Sequence, residues 1–130
     1  MKILGVGVDI IENKRIKNSI KSRKFRDRIY SPNELKLSST SKNKIGYFSK
    51  RFAAKEAFAK ALGTGFRNNV NFKDIEIIND KFGKPCYTKT KKITKIIRKE
   101  FKVKNFNCFL SISDEKEYST AFTIIQSIWS

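Results

Sequence analysis

Residues 3–11 alternate strictly. Leu4, Val6, Val8 and Ile10 fall on one face of an extended chain, and Ile3, Gly5, Gly7, Asp9 and Ile11 fall on the other. The pattern predicts a strand. Glycine inside a strand costs stability, so Gly5 and Gly7 on one face imply close approach by something else. The apolar period then changes: Ile16, Ile20, Phe25 and Ile29 recur at near-helical spacing, predicting one or two helices over 12–30. Ser31-Pro32-Asn33-Glu34 is a helix start, with Ser as N-cap, Pro at the first position and Glu at the third. That short helix ends in the polar linker Ser38-Ser39-Thr40-Ser41, which leads into a long helix over 42–62. Within 51–62 half the residues are Ala or Leu, neither Gly nor Pro interrupts, and Gly63 suits the left-handed position just past a helix end.

The faces of the long helix are uneven. Phe48, Phe52, Ala59, Leu62, Phe58, Tyr47 and Ala54 form one apolar arc, with Arg51 and Lys55 inside it. Glu56 and Lys60 lie on the other side, spaced i, i+4. Cations on an inner stripe are costly unless an anionic group meets them. The plainer account is that they snorkel to the surface and that Glu56–Lys60 is an exposed ion pair worth a few tenths of a kcal/mol. After a loop, 74–79 reads as a strand, Asp80-Lys81-Phe82-Gly83-Lys84-Pro85 as a hairpin loop, and 85–88 as the return. Residues 89–101 form a helix whose stripe is Ile93, Ile96, Ile97 and Phe101, with Thr90 as cap and an outer side almost wholly Lys and Arg. Two strands over 106–113 and 119–128 are joined by a hairpin at 114–118. The order β-α-α-α-β-β-α-β-β predicts one α+β domain spanning 1–130, a largely antiparallel sheet packed on a long central helix.

Composition narrows the chemistry. The chain has no His, and its cysteines, Cys86 and Cys108, form no CxxC pair. His-containing zinc sites, a Ser-His-Asp triad and a Cys-His dyad are excluded, so any metal is held by oxygen, as Mg²⁺ is. No apolar run approaches the roughly 18 residues of a membrane span, the N-terminus lacks the features of a secretion signal, and unpaired cysteines fit a reducing cytoplasm. The net charge of +17, from 29 cations against 12 acids, calls for an anionic partner. Part of that excess is compositional bias toward Lys, Ile and Asn. Four of the seven arginines nonetheless fall within 12–30, where Lys14, Arg15, Lys17, Lys21, Arg23, Lys24, Arg26 and Arg28 face only Glu12 and Asp27. A small basic nucleic-acid-binding domain is the alternative, supported by the charge and by 12% aromatics. Against it, the aromatics sit at core-periodic positions, no helix-turn-helix or RNP-like pattern is present, and Asp9 and Glu56 would have no role.

Asp9, on the glycine-cleared face, is either a turn-forming residue at the strand end or half of a carboxylate pair with Glu56. Two carboxylates with phosphate oxygens and water make a normal Mg²⁺ site, and neighbouring cations would neutralise a transferring phosphoryl group. Asp114, Glu115 and Glu117 are further acids in a hairpin, and Gly63-Thr64-Gly65 would let a ligand approach the backbone. No Walker A or GxGxxG motif is present.

Gly5-Val6-Gly7-Val8-Asp9-Ile10 and, some 45 residues on, Phe52-Ala53-Ala54-Lys55-Glu56-Ala57-Phe58-Ala59-Lys60 resemble the signature pair of the 4′-phosphopantetheinyl transferases. Arg51 running into Gly63-Thr64-Gly65, and the later Gly83-Lys84-Pro85, are similar to the bacterial holo-acyl-carrier-protein synthase group. The resemblance covers the whole chain in order. It implies transfer of the 4′-phosphopantetheine arm of coenzyme A to a serine of apo-acyl carrier protein, releasing adenosine 3′,5′-bisphosphate. It further implies that Asp9 and Glu56 hold Mg²⁺ and that Lys60 contacts the coenzyme A phosphates. Arg51 is implied to meet the 3′-phosphate, and Gly63, Gly65, Gly83, Lys84 and Pro85 to lie near the nucleotide. Lys55 either contacts phosphate or supports the site. The implied assembly is a homotrimer with active sites between subunits. An acidic carrier protein would dock on Lys14, Arg15, Lys17, Lys21, Arg23, Arg26 and Arg28. Many relatives carry a His where this chain has Asp114, which cannot replace it by charge.

Overall fold

The computed structural model describes residues 1–63 and 70–128. The elements are β1 (Lys2–Glu12), α1 (Asn13–Ser19), α2 (Arg23–Ile29), α3 (Pro32–Ser38), α4 (Lys44–Leu62), β2 (Ile77–Asn79), β3 (Pro85–Tyr87), α5 (Lys91–Phe101), β4 (Phe106–Asp114) and β5 (Tyr118–Ser127). The segment over 12–30 therefore forms two helices. The α+β class and the antiparallel sheet agree with the pattern analysis. Three strands pair antiparallel in the order β1-β5-β4, while β2 and β3 form a separate hairpin. Asp9 pairs with Ala121, and Ala121 with Ile112, so β1 and β4 run in the same direction on either side of β5.

Helix α4 begins where the Asn43 side chain accepts from the Gly46 amide at 3.0 Å and ends at Gly63, whose φ is 80°. It packs across β1 and β5 and meets β1 backbone to backbone. A Cβ at Gly5 would lie 1.8 Å from the Ala61 carbonyl oxygen, and one at Gly7 1.8 Å from that of Ala57. The close approach implied by the glycines is that of α4. Ala53, Ala54, Ala57 and Ala61 are buried in the seam, with Phe58, Ile97 and Ile125 filling the core beside it. Burial also pushes the Cys108 thiol up to about 12, as suits a small core residue. The Tyr87 hydroxyl donates to the Ala54 carbonyl and meets the Thr123 hydroxyl, both at 2.6 Å, tying β3 to α4 and β5.

Two features differ from the pattern analysis. The strand expected over 74–79 is shorter. Asn71 and Asp74 cap one another around a 3₁₀ turn at Phe72–Asp74, and the carbonyls of Phe72 and Ile75 turn inward to Lys55 instead of joining a ladder. The apolar face of β1, though a clean alternation, points outward: Val6, Val8 and Ile10 are 51%, 55% and 65% exposed, beside Phe122 and Phe109. Val8 is in register with Phe122, so these side chains make one continuous apolar surface, the kind that marks an interaction face.

The glycine seam sets a strict steric demand. Gly7→Ala is expected to destabilise the fold by about 3 kcal/mol or more, because the Cβ meets helix backbone that cannot rotate away; urea denaturation measures it, and a loss within experimental error would refute the contact.

Candidate active site

Asp9 lies on the cleared face of β1, two positions beyond Gly7, where its side chain meets Lys60 on the flank of α4. The Thr120 hydroxyl fixes its backbone by donating to the Asp9 carbonyl at 2.8 Å. The Lys60 ammonium lies 3.2 Å from Asp9 Oδ1 and 3.0 Å from the Val8 carbonyl. Lys60 thus pairs across the seam with the strand. Glu56, one turn before Lys60, is half-buried; burial and then the nearby Asp9 charge raise its pKa, against the opposing fields of Lys60 and Arg15. Two carboxylates that repel one another beside two cations form a site.

That donor set fits a hard divalent cation. Among the described residues no cluster of three or more His, Cys, Asp or Glu exists. Two carboxylates suffice for Mg²⁺ when water and substrate phosphate supply the remaining oxygens. The Lys60 ammonium already sits on Asp9 as a positive charge.

Arg51 and Lys55 are both buried. Lys55 is fully buried, and its three ammonium protons have three acceptors: Glu34 Oε1 at 2.7 Å, the Phe72 carbonyl at 2.9 Å and the Ile75 carbonyl at 2.5 Å. Glu34, also fully buried, accepts from the Ser31 and Ile77 amides, both at 2.9 Å. Burial lowers the Lys55 pKa, and Glu34 opposes the shift. The Arg51 guanidinium lies 3.6 Å over the Tyr47 ring and is almost wholly enclosed. Neither cation snorkels: protein acceptors take all three Lys55 protons, while the enclosed Arg51 guanidinium keeps its Nε without a hydrogen-bond partner among the described residues.

The hairpin residues are well formed but distant. Gly83 has φ 82°, and the Asp80 carboxylate accepts from the Phe82 and Lys84 amides at 2.8 and 2.9 Å. Pro85 opens β3, which lies beside β4 at the edge of the sheet opposite β1. One chain therefore does not bring Gly83, Lys84 and Pro85 to Asp9. Gly63 is an exposed helix cap, and Gly65 lies outside the described residues. Of the expected docking cations, Lys14, Arg15, Lys17, Lys21, Arg23 and Arg28 are exposed, while Arg26 is half-buried and donates to the Ile20 carbonyl at the end of α1. Arg23 pairs with Asp27 at 3.7 Å. Asp114 is exposed at the end of β4.

Several contributors were missed from sequence. Arg15, read only as a docking residue, also acts on Glu56 because α1 follows β1 without a linker. Asn13 ties that junction to the β4–β5 hairpin, donating to the Glu115 and Lys116 carbonyls at 3.0 and 3.1 Å and accepting from the Ser119 hydroxyl. Glu34 was legible as a cap residue but not as the partner of Lys55, since nothing local in the sequence links residues so far apart.

Residues 5–123 match the model of the 4′-phosphopantetheinyl transferase superfamily, and the chain belongs to that family. It is 60% identical over 126 residues to the holo-[acyl-carrier-protein] synthase of Pelagibacter ubique, covering 97% of this chain and 98% of that one. Its fold is similar to the holo-[acyl-carrier-protein] synthase of Neisseria meningitidis, with a TM-score of 0.86 at 38% identity over 96% of this chain and 99% of that chain. It is also similar to a Bacillus anthracis holo-(acyl-carrier-protein) synthase in complex with CoA (3′,5′-ADP), with a TM-score of 0.81 at 35% identity, covering 98% of this chain and all of that one. The alternative of a nucleic-acid-binding domain finds no support among these relatives.

The buried pair makes a quantitative demand. Lys55→Met is expected to cost about 3–5 kcal/mol by stranding the Glu34 carboxylate, and Lys55→Met with Glu34→Gln to recover part of that loss. Chemical denaturation of both variants checks the coupling; equal stability of the single and double variants would contradict it.

Proposed function

We propose that the chain is a holo-[acyl-carrier-protein] synthase, moving the 4′-phosphopantetheine arm of coenzyme A onto a serine hydroxyl of apo-acyl carrier protein and releasing adenosine 3′,5′-bisphosphate. The observation that carries this is the meeting of Asp9, Glu56, Lys60 and Arg15 at the β1–α4 seam, in a chain of this family. Asp9 and Glu56 would hold Mg²⁺, which when bound supplies neutralisation of the pyrophosphate as it is cleaved. Lys60 swings on its flexible stem between Asp9 and a substrate phosphate, and Arg15 adds a second positive charge at the reacting centre. With no His in the chain, the serine proton passes to a carboxylate or water.

The acidic carrier protein docks on α1 and α2 through Lys14, Arg15, Lys17, Lys21, Arg23 and Arg28. The nucleotide-side loop, Gly83-Lys84-Pro85, sits at the sheet edge away from Asp9, which is the arrangement expected if a neighbouring subunit completes each site. A homotrimer joined through the outward apolar face of Val8 and Phe122 would bring the two edges together. In this reading the enzyme works in the cytoplasm, a location supported by two unpaired cysteines. Among the described residues no helix is long and apolar enough to cross a membrane.

Glu56→Gln is expected to abolish transfer while leaving the fold intact, read by mass spectrometry of a carrier protein incubated with coenzyme A and Mg²⁺; retained transfer would remove Glu56 from the metal site. The KM for the carrier is expected to rise at least tenfold between low and roughly half-molar salt with kcat little changed; a flat response would exclude the docking surface. Phe122→Lys is expected to give monomers in sedimentation and loss of activity, and an active monomer would overturn the shared site.

A further inference from the structure

Helix α5 (Lys91–Phe101) carries a second strongly cationic surface. Its inner side buries Ile93 and Ile97. At 100° per residue, Lys91, Lys92, Lys95, Arg98 and Lys99 fall within an arc of about 120° on the opposite side, and all are exposed. Four of them, Lys91, Lys95, Arg98 and Lys99, line a groove of about 580 Å³ together with Lys89 and Thr94. The flanks are held in place. Lys89 donates to the Phe106 carbonyl at 2.8 Å and lies over the Phe106 ring, and Arg98 Nε donates to the Lys104 carbonyl at 2.8 Å. Counter-charge is scarce. Glu100, the one acid within 88–105, projects away from the arc, and among the described residues only Lys92 of the five has an ion pair, to Asp74 at 2.7 Å. Lys91/Lys95, Lys92/Lys95, Lys95/Arg98 and Lys95/Lys99 are like charges at i, i+3 or i, i+4, each of which destabilises a helix. The helix keeps a self-repelling stripe that an external anionic surface relieves.

This surface lies away from the Asp9–Glu56 pair of its own chain. Lys89 meets the start of β4 at Phe106, whereas Asp9 lies level with Ile112 through Ala121. Six residues along a strand is about 20 Å. The basic face of α1 and α2 follows directly from the Asp9 end of β1, so the two cationic surfaces serve different contacts.

We propose that the α5 face docks the protein onto an anionic lipid bilayer. Lysine predominates there, and an ammonium is a compact point charge without the fork geometry that reads a shaped phosphate ligand. No exposed aromatic ring on the described stripe offers a stacking platform for a nucleic-acid base. No large apolar side chain projects from it to insert. A nearly straight row of point charges instead matches a plane of phosphodiester head groups, and the contact is electrostatic, reversible and screened by salt.

Vesicles of phosphatidylcholine, with or without roughly a third phosphatidylglycerol, provide the test in a co-sedimentation assay at low salt. The full chain is expected to bind only the anionic vesicles. Lys91→Gln/Lys95→Gln/Arg98→Gln/Lys99→Gln is expected to bind at least about a hundredfold more weakly, while transfer to carrier protein in solution is unchanged. Lys14→Gln/Lys17→Gln/Lys21→Gln/Arg23→Gln removes the same charge from α1 and α2 and is expected to lose less than about a tenth of that effect. Equal losses in the two variants would show a response to net charge alone and overturn the proposal. So would tighter binding to duplex DNA than to anionic vesicles in the same buffer, or no binding to the vesicles. A circular dichroism melt establishes that both variants are folded.

Discussion

The backbone-to-backbone contact of β1 and α4 is the constraint on which the rest of the molecule depends. Removing two side chains from the strand allows a helix carbonyl to occupy the space where Cβ atoms would stand. The helix axis then runs so close to the strand that residues on its flank reach side chains two positions further along the same strand face. Asp9 stands at that point, and Lys60 bonds both to its carboxylate and to the carbonyl of Val8 beside it. A wider seam would leave Glu56 unable to feel the Asp9 charge. The chemistry and the packing are one geometric fact.

A close seam also needs its rotation fixed, because a helix lying on alanines and glycines has few interlocking side chains. The buried Lys55–Glu34 pair supplies the lock. One ammonium joins α4 to α3 and to two turn carbonyls, and one carboxylate gathers amides from Ser31 and Ile77. Charges this deep are stabilising only if every donor and acceptor has a partner, which is the case here. Because Glu56 is the next residue, fixing Lys55 also fixes the direction in which Glu56 projects.

Much of this was legible in the chain. The alternation of β1, the glycine-cleared face, the capped starts at Ser31 and Thr90 and the Gly63 stop are local signals, and local physics wrote them. The resemblance in two motifs favoured pairing Asp9 with Glu56, since the residues alone left Asp9 either a turn residue or half of a carboxylate pair and Glu56 half of a surface ion pair. What sequence could not disclose was long-range: that Lys55 would find Glu34, that Arg51 would lie flat on Tyr47, and that Asp74–Asn79 would be shortened by carbonyls turning toward a buried ammonium. Each depends on tertiary packing that overrides a local pattern. The outward apolar face of β1 belongs to the same class, because alternation says which residues share a face and not which face is covered.

The pairing of β1 with β5 has a consequence in time. Glu12 and Tyr118 face one another across the sheet although 105 residues separate them in the chain. At a ribosomal pace of about 5–20 residues per second, the first strand waits roughly 5–20 s for its partner. The Ala-rich α4 can form during that interval from local contacts, but Asp9 has no fixed position until Thr120 arrives to bind its carbonyl. Pairing across so long a stretch of chain is slow relative to local helix formation. Assembly of the acidic pair therefore reports that synthesis has passed β5: a nascent or prematurely ended chain holds the motifs and lacks the centre they build.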